Sequence, residues 1–149
     1  MAVTLQNVLH VRDHCLCLHT QRAARVLARR FDQAFRPFGL TNHQFSLMMA
    51  LSAPRPAPLG RLAAMMGADR TTVTAALKPL IARGLAEDAP DPADRRVRRA
   101  RLTDAGRELL AKAHPVWIAE HGRLEAELTG QTEPDALRSG LNAIAATVA

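Results

Sequence analysis

Tyrosine is absent from this chain of 149 residues, tryptophan occurs once and phenylalanine four times. With aromatics at 3% against 48% hydrophobic residues, the core has to be assembled from Leu, Ala, Val and Met. That palette favours packed helices over a sandwich of aromatic-rich strands. No apolar run approaches the roughly 20 residues that span a bilayer, so no membrane partner is expected. The N-terminus is wrong for a secretory leader, because Arg12, Asp13 and His14 interrupt it early, and a cytoplasmic protein is expected. Cysteine is nearly missing too, with Cys15 and Cys17 alone. In a reducing cytosol both are expected as thiols. On one continuous helix, positions i and i+2 point roughly 200° apart, which would keep the two sulfurs from pairing. Catalytic signatures are also lacking. There is no phosphate-binding glycine loop, no nucleophile elbow and no carboxylate pair in an apolar setting, which argues against an enzyme. His43 and His114 stand isolated and read as surface or cap residues.

What the chain does have is positive charge. Twenty Lys and Arg against fourteen Asp and Glu leave a formal net charge of +6, which suggests a polyanionic partner. The length fits one domain with one core.

Residues from about 6 to 37 read as one long amphipathic helix, with Leu16, Ala23, Leu27, Phe31, Phe35 and Phe38 at three- and four-residue steps and Gly39 as its stop. Thr41 with Gln44 forms a capping box that opens a helix through Phe45, Leu47, Met48 and Leu51. Residues 53–58 are a proline-rich breaker, and Pro58 suits the first turn of a short helix carrying Leu59, Leu62, Ala63 and Met66, closed by Gly67. Asp69 caps the next helix, Arg70 to about Arg83, whose buried face would be Val73, Leu77, Leu80 and Ile81. Pro79 should bend it and Gly84 ends it. Around Leu85–Asp88 and Val97–Leu102 the helical period gives way to two extended pieces flanking a polar, proline-containing tip. Thr103 then caps a long helix that Pro115 should kink. A last helix is expected from Thr132, with Asp135 completing its cap, through Val148.

Three compact helices followed by a hairpin have the plan of a winged helix-turn-helix, here mainly α with a two-stranded β wing. The outer helices have apolar stripes and no core of their own, so they are expected to bury each other across a two-fold axis in a homodimer. One domain is therefore read over 1–149, with about 41–103 as the DNA-binding part and about 6–37 and 104–149 as dimerisation helices.

The charge pattern carries the functional signal. Five arginines, Arg95, Arg96, Arg98, Arg99 and Arg101, follow Asp94, and Glu87, Asp88 and Asp91 precede it. Arginine at a hairpin tip suits an A·T-rich minor groove, and flanking guanidiniums neutralise phosphates. Asp94 is placed to hold the Arg96 guanidinium by a charge-assisted bond. Upstream, Arg70, Thr71, Thr72 and Thr74 open the helix that would meet base edges, and Lys78 suits a phosphate. A solvated charged loop and ordinary capping chemistry are the plainer alternatives.

At this point the residues resemble a known family. The stretches Leu59-Gly60-Arg61-Leu62-Ala63, Asp69-Arg70-Thr71-Thr72-Val73-Thr74, Leu80-Ile81-Ala82-Arg83-Gly84-Leu85, Asp91-Pro92-Ala93-Asp94-Arg95-Arg96 and Leu102-Thr103-Asp104-Ala105-Gly106 are similar to those of the multiple-antibiotic-resistance regulator (MarR) family. The resemblance covers nearly the whole chain. It implies a triangular homodimer joined by its terminal helices. It also implies a repressor bound to double-stranded DNA at a pseudopalindromic operator and released by a small-molecule effector or an oxidant. Arg96 would be the minor-groove arginine of the wing and Asp94 its orienting partner. A pocket between dimerisation helices and winged helix would take a small aromatic acid. No cofactor is implied.

Cys17, 24 residues before Thr41, resembles the peroxidatic cysteine of the organic-hydroperoxide-sensing branch, with Cys15 beside it. The tyrosines that bond the reactive sulfur there are replaced here by Gln21 and Phe31. Cationic neighbours such as Arg22 and Arg25 favour a thiolate, whereas the alternative is a small side chain packed at a helix interface. His10, His14 and Cys17 would share a helical face, and Cys15 and His19 form another i, i+4 pair. No third ligand cluster accompanies them, so no metal site is read. A non-specific basic nucleoid or interaction module of the same fold is the other class, separable from a repressor by footprinting on a short palindrome.

Overall fold

The computed structural model describes residues 2–147. Its elements in order are α1 (Leu5–His14), α2 (Leu16–Phe35), a 3-10 turn (Arg36–Phe38), α3 (Asn42–Leu51), β1 (Ala57–Pro58), α4 (Leu59–Met65), α5 (Arg70–Ala82), β2 (Ala86–Pro90), β3 (Arg98–Leu102), α6 (Asp104–Leu128) and α7 (Pro134–Ala146).

Local chemistry sets most boundaries. At α3 the Thr41 hydroxyl accepts from Gln44 N while the Gln44 side chain accepts from Thr41 N, the reciprocal box expected there. Asp69 accepts from Thr72 N at 2.6 Å and Thr103 from Gly106 N at 3.1 Å, opening α5 and α6. Gly39 and Gly84, at φ 63° and 69°, end the preceding helical turns in the left-handed region, where a side chain would be strained. Pro79 and Pro115 both lie inside their helices.

The core sits where α3, α5, β3 and α6 meet. Phe35, Leu47, Met48, Val73, Leu77, Leu80 and Leu102 are all essentially shut from solvent. Its few aromatic rings cluster, with Phe35 stacked on Phe45 at 4.3 Å between centroids. Ile81, expected on the buried face of α5, is exposed, because Val73, Leu77 and Leu80 form the stripe that faces the core and Ile81 lies about 100° round the helix from Leu80.

Four further expectations are corrected. The first long helix is two, broken at Cys15, whose backbone is extended (φ −76°, ψ 103°) and whose sulfur caps α2 by accepting from Leu18 N at 3.4 Å. The hairpin is joined by a third strand, in the antiparallel order β1-β3-β2, because Ala57 and Pro58 pair with Ala100 and Arg99. Pro58 accordingly caps α4 from outside it. The last helix starts at Pro134 with no side-chain cap. Asp135 instead pairs with Arg138, which also reaches Glu125. The end of that helix expected at Val148 lies outside the described residues.

Phe31 and Phe35 of α2 and Leu110 and Ala113 of α6 join the core, and an ion-pair cluster ties the two helices further along. Arg30 of α2 donates to Glu120 Oε1 and Glu127 Oε2 of α6, both at 2.5 Å. Yet Val3, Leu5, Leu16, Val26, Leu137, Leu141 and Ile144 are exposed on α1, α2 and α7 or just before α1. No helix among the described residues is long and apolar enough to cross a membrane.

Candidate nucleic-acid interface

The face of α5 is assembled by helical spacing. Arg70, Thr71, Thr74 and Lys78 line one open concavity with Ala75, free of any acidic side chain. Thr72 is exposed but lies outside that concavity, its backbone N–H held by the Asp69 cap. That bond, with a second from the Thr72 side chain, holds the Asp69 carboxyl below its usual range. Thr74 Oγ1 donates to Arg70 O at 2.7 Å, so its hydroxyl keeps only acceptor capacity for a ligand. Arg83, at the other end of α5, donates to Gly39 O at 2.7 Å and Phe38 O at 3.0 Å, pinning α5 to the α2–α3 turn. Sequence reasoning passed over that residue, since its partners lie 44 and 45 positions away.

The β2–β3 hairpin is charge-balanced to a degree that its arginine run conceals. Arg98 is clamped by Asp88 Oδ2 at 2.5 and 2.8 Å, and Arg101 pairs with Glu87, the residue directly across the strands. Arg99 is tied to Asp91, the one buried charged residue of the described chain. Asp91 also accepts from Ala93 N at 2.7 Å and Asp94 N at 3.3 Å, closing the tip turn. The Arg99 guanidinium, followed by those amides, holds the Asp91 carboxyl well below its ordinary value despite its desolvation. Asp94 then accepts from Arg96 N at 3.1 Å and from its Nε at 3.2 Å. The Arg96 side chain stays 92% exposed, aimed outward and held at its root. Arg95 makes no ion pair among the described residues. Arg95 and Arg96 are thus the exposed cations of the tip, while Arg98 is committed to the hairpin.

Cys17 is exposed and Cys15 half-buried, both as free thiols. Gln21 Nε2 donates to Cys17 Sγ at 3.1 Å, and Arg25 Nη2 to Gln21 Oε1 at 2.6 Å. Arg25 therefore engages the amide rather than the thiol. Because α1 ends at His14, His10 and His14 stack on each other at 4.5 Å and share no helix with Cys17. No group of three metal-ligating side chains occurs among the described residues. His43 is not a surface residue but half-buried, its Nε2 shut from solvent without a protein partner. His114 stacks near Trp117 and lines, with Phe45, Ser46 and Met49, a cavity of about 260 Å³ between α3 and α6.

Three kinds of comparison bear on this geometry. Residues 40–97 match the model of the MarR family. Among curated proteins no match is found. Among solved structures, the DNA complex of the M. tuberculosis transcriptional regulator MosR is 34% identical, with a TM-score of 0.78 over 91% of this chain and 96% of that one. The transcriptional repressor CouR bound to a 23-mer DNA duplex is 30% identical, with a TM-score of 0.78 over 97% and 99%. CouR from Rhodococcus jostii RHA1 bound to p-coumaroyl-CoA aligns at 26% identity, with a TM-score of 0.69 over 89% and 93%.

Proposed function

The chain belongs to the MarR family of transcriptional regulators, which are not enzymes, and from that premise we propose that it is a homodimeric, cytoplasmic repressor that reads a pseudopalindromic operator. The observation that carries the reading is the juxtaposition of two surfaces. The open face of α5 with Arg70, Thr71, Thr74 and Lys78 precedes a hairpin whose tip presents Arg96 on an Asp94 tether. Arg70 offers a bidentate donor to guanine, Thr71 and Thr72 offer hydroxyls and methyls, and Lys78 offers a point charge for phosphate. Arg96 enters the minor groove, and Arg95 lies over the flanking phosphates. Arg98 serves the hairpin first and the DNA only by its remaining field.

The apolar residues left bare on α1, α2 and α7 form the two-fold interface, each subunit covering the other's stripe. The winged part spans about 41–103 and the dimerisation helices flank it. Two α5 helices then address half-sites about one helical turn, roughly 34 Å, apart. Selection of bound fragments from genomic DNA, followed by footprinting of the recovered site, tests this. One short protected palindrome is the expected outcome, and uniform coating of all fragments would refute a sequence-specific regulator.

An oxidant-released repressor is the second reading, favoured by the exposed Cys17 sulfur held by Gln21 and by the helix break that takes Cys15 out of α2. In it, the Cys17 thiolate attacks an organic hydroperoxide, the O–O bond breaks, an alcohol leaves after taking up a proton, and the sulfur becomes a sulfenic acid. The Gln21 amide replaces the tyrosine donor of the hydroperoxide-sensing branch. Cys17→Ser should bind DNA and ignore the hydroperoxide that releases wild type. Equal behaviour of the two proteins would leave Cys17 a packing residue and a small-molecule effector as the release signal.

A further inference from the structure

A cavity of about 610 Å³ lies where the end of α3, the loop before β1, the body of α4 and the middle of β3 converge. It is separate from the α5 face and from the hollow between α3 and α6. Its floor is Leu62 and Met65, the latter 63% exposed, and its wall includes Pro54 and Pro56. Proline fixes φ, so the wall is formed before any ligand arrives and loses little entropy on binding. Arg55, Arg61 and Arg99 are among its lining residues, and no carboxylate lines it. Arg55 and Arg61 make no hydrogen bond or ion pair among the described residues. An apolar basin of ordinary ligand size under unneutralised arginines wants a molecule with a greasy body and one anionic end. No aromatic ring lines the basin, and an aliphatic body fits its apolar floor.

We propose that this basin binds a small aliphatic carboxylate and that Arg99 carries the occupancy to the wing. The carboxylate is held among Arg55, Arg61 and Arg99, with its chain on Leu62 and Met65. Arg99 is the link, because the same guanidinium donates to Pro56 O at 3.1 Å on the basin wall and to buried Asp91 at the base of the tip turn. Asp91 in turn bonds the amide of Asp94, which holds Arg96. A ligand anion competing for Arg99 draws it from Asp91 and loosens the turn that aims Arg96. This coupling rests on the DNA-binding reading above, whereas the binding itself does not.

The test uses the full chain with methyl-labelled methionine, octanoate as ligand and 1-octanol as its uncharged counterpart. The Met65 methyl resonance, assigned with Met65→Leu, should shift saturably with octanoate and far less with octanol. The Arg55→Gln, Arg61→Gln double variant should bind octanoate at least tenfold more weakly while melting at the wild-type temperature. Octanoate should weaken wild-type binding to the selected DNA site several-fold and leave that of the double variant unchanged. No Met65 shift, or the same shift in the double variant, overturns the site. If the double variant loses DNA affinity and salt dependence without octanoate, the arginines are phosphate contacts and the proposal is wrong. A wild-type chain that takes octanoate at Met65 but selects no DNA refutes the regulator reading and the coupling, and leaves the site standing.

Discussion

Gly106→Ala adds one methyl group to the first turn of α6, a change that an isolated helix would welcome by about 1 kcal/mol. In this fold it should be among the most damaging single substitutions. A Cβ on Gly106 would lie 1.9 Å from the Leu85 carbonyl oxygen and 2.9 Å from its carbon, where ordinary contact begins at 3.4 Å. The obstacle is backbone at the junction of α5 and β2, so no side chain can swing aside. One element has to retreat by about 1.5 Å, the difference between those distances. The same oxygen accepts from Thr103 N at 3.1 Å, and Thr103 Oγ1 donates to Gly84 O at 2.6 Å, so the retreat strains both bonds. Overpacking at the upper end of its usual ~1–3 kcal/mol, plus about 1 kcal/mol for a lost hydrogen bond, less the helix gain, leaves roughly 3 kcal/mol. For a chain of this size that is a fall in melting temperature of about 10 °C. Gly60→Ala is the control, since nothing lies within 4 Å of its Cβ position. It should be neutral or slightly stabilising. Thermal and urea denaturation at one protein concentration decide the matter, and a Gly106→Ala protein as stable as wild type would show that the close approach at Leu85 does not exist.

Three other outcomes are expected. Arg96→Ala should cost roughly 1–3 kcal/mol on the selected site and flatten its A·T preference at the outer flanks, whereas Lys78→Ala should weaken all sequences alike and lower the salt slope by about one per contact; equal effects of the two in a salt titration would reject the division of labour. Arg30→Gln should blunt acid sensitivity: Arg30 holds the Glu127 carboxyl below its ordinary 4.5, so the stability it lends to the wild type is full above that pH and is lost as pH falls through the depressed folded value. The gap in melting temperature between wild type and variant should therefore be constant from pH 7 to about 5 and close below about 4, and a gap that widens on acidification contradicts the ion pair. Removing residues from Thr132 onward should expose the partner surface of Leu137, Leu141 and Ile144 and cause aggregation, while sedimentation of the full chain as a stable monomer at micromolar concentration would defeat the dimer.

How much of this was readable in advance follows the range of the interaction. Thr41 with Gln44, Asp69 with Thr72 and Thr103 with Gly106 are bonds three residues long, so their partners are visible in the sequence itself. The same logic failed at Thr132, because Asp135 found Arg138 and gave its charge to a side chain instead of a cap. At Cys15 there was no glycine or proline to mark a break, and a thiol is a weak and unusual cap. β1 was hidden inside a breaker: two residues that read as loop become a strand only because β3 offers an edge 43 and 41 positions downstream, at Ala100 and Arg99. Arg30 has no partner in its own stretch of sequence, and only α6 brings Glu120 and Glu127 to it.

The wing shows why a count of charges was the weaker guide and position the better one. The arginine run from 95 to 101 suggested a broad cationic surface, yet four carboxylates, Glu87, Asp88, Asp91 and Asp94, each hold one of its five guanidiniums. Phosphate binding that drew on all five would give a salt slope of about 4.5 per hairpin at roughly 0.9 per neutralised phosphate. With Arg98, Arg99 and Arg101 spent on holding the strands together, only Arg95 and Arg96 remain, and the expected slope is nearer 2. The arginines in the strands thus determine where the tip is, and the two at the tip determine what it touches. Asp88→Asn should then raise the salt slope by about one, because it frees Arg98 for a phosphate while leaving Arg96 in place. A slope unchanged in Asp88→Asn, in a protein that still binds its site, would mean that Arg98 already reaches the DNA and that the internal pair breaks on binding.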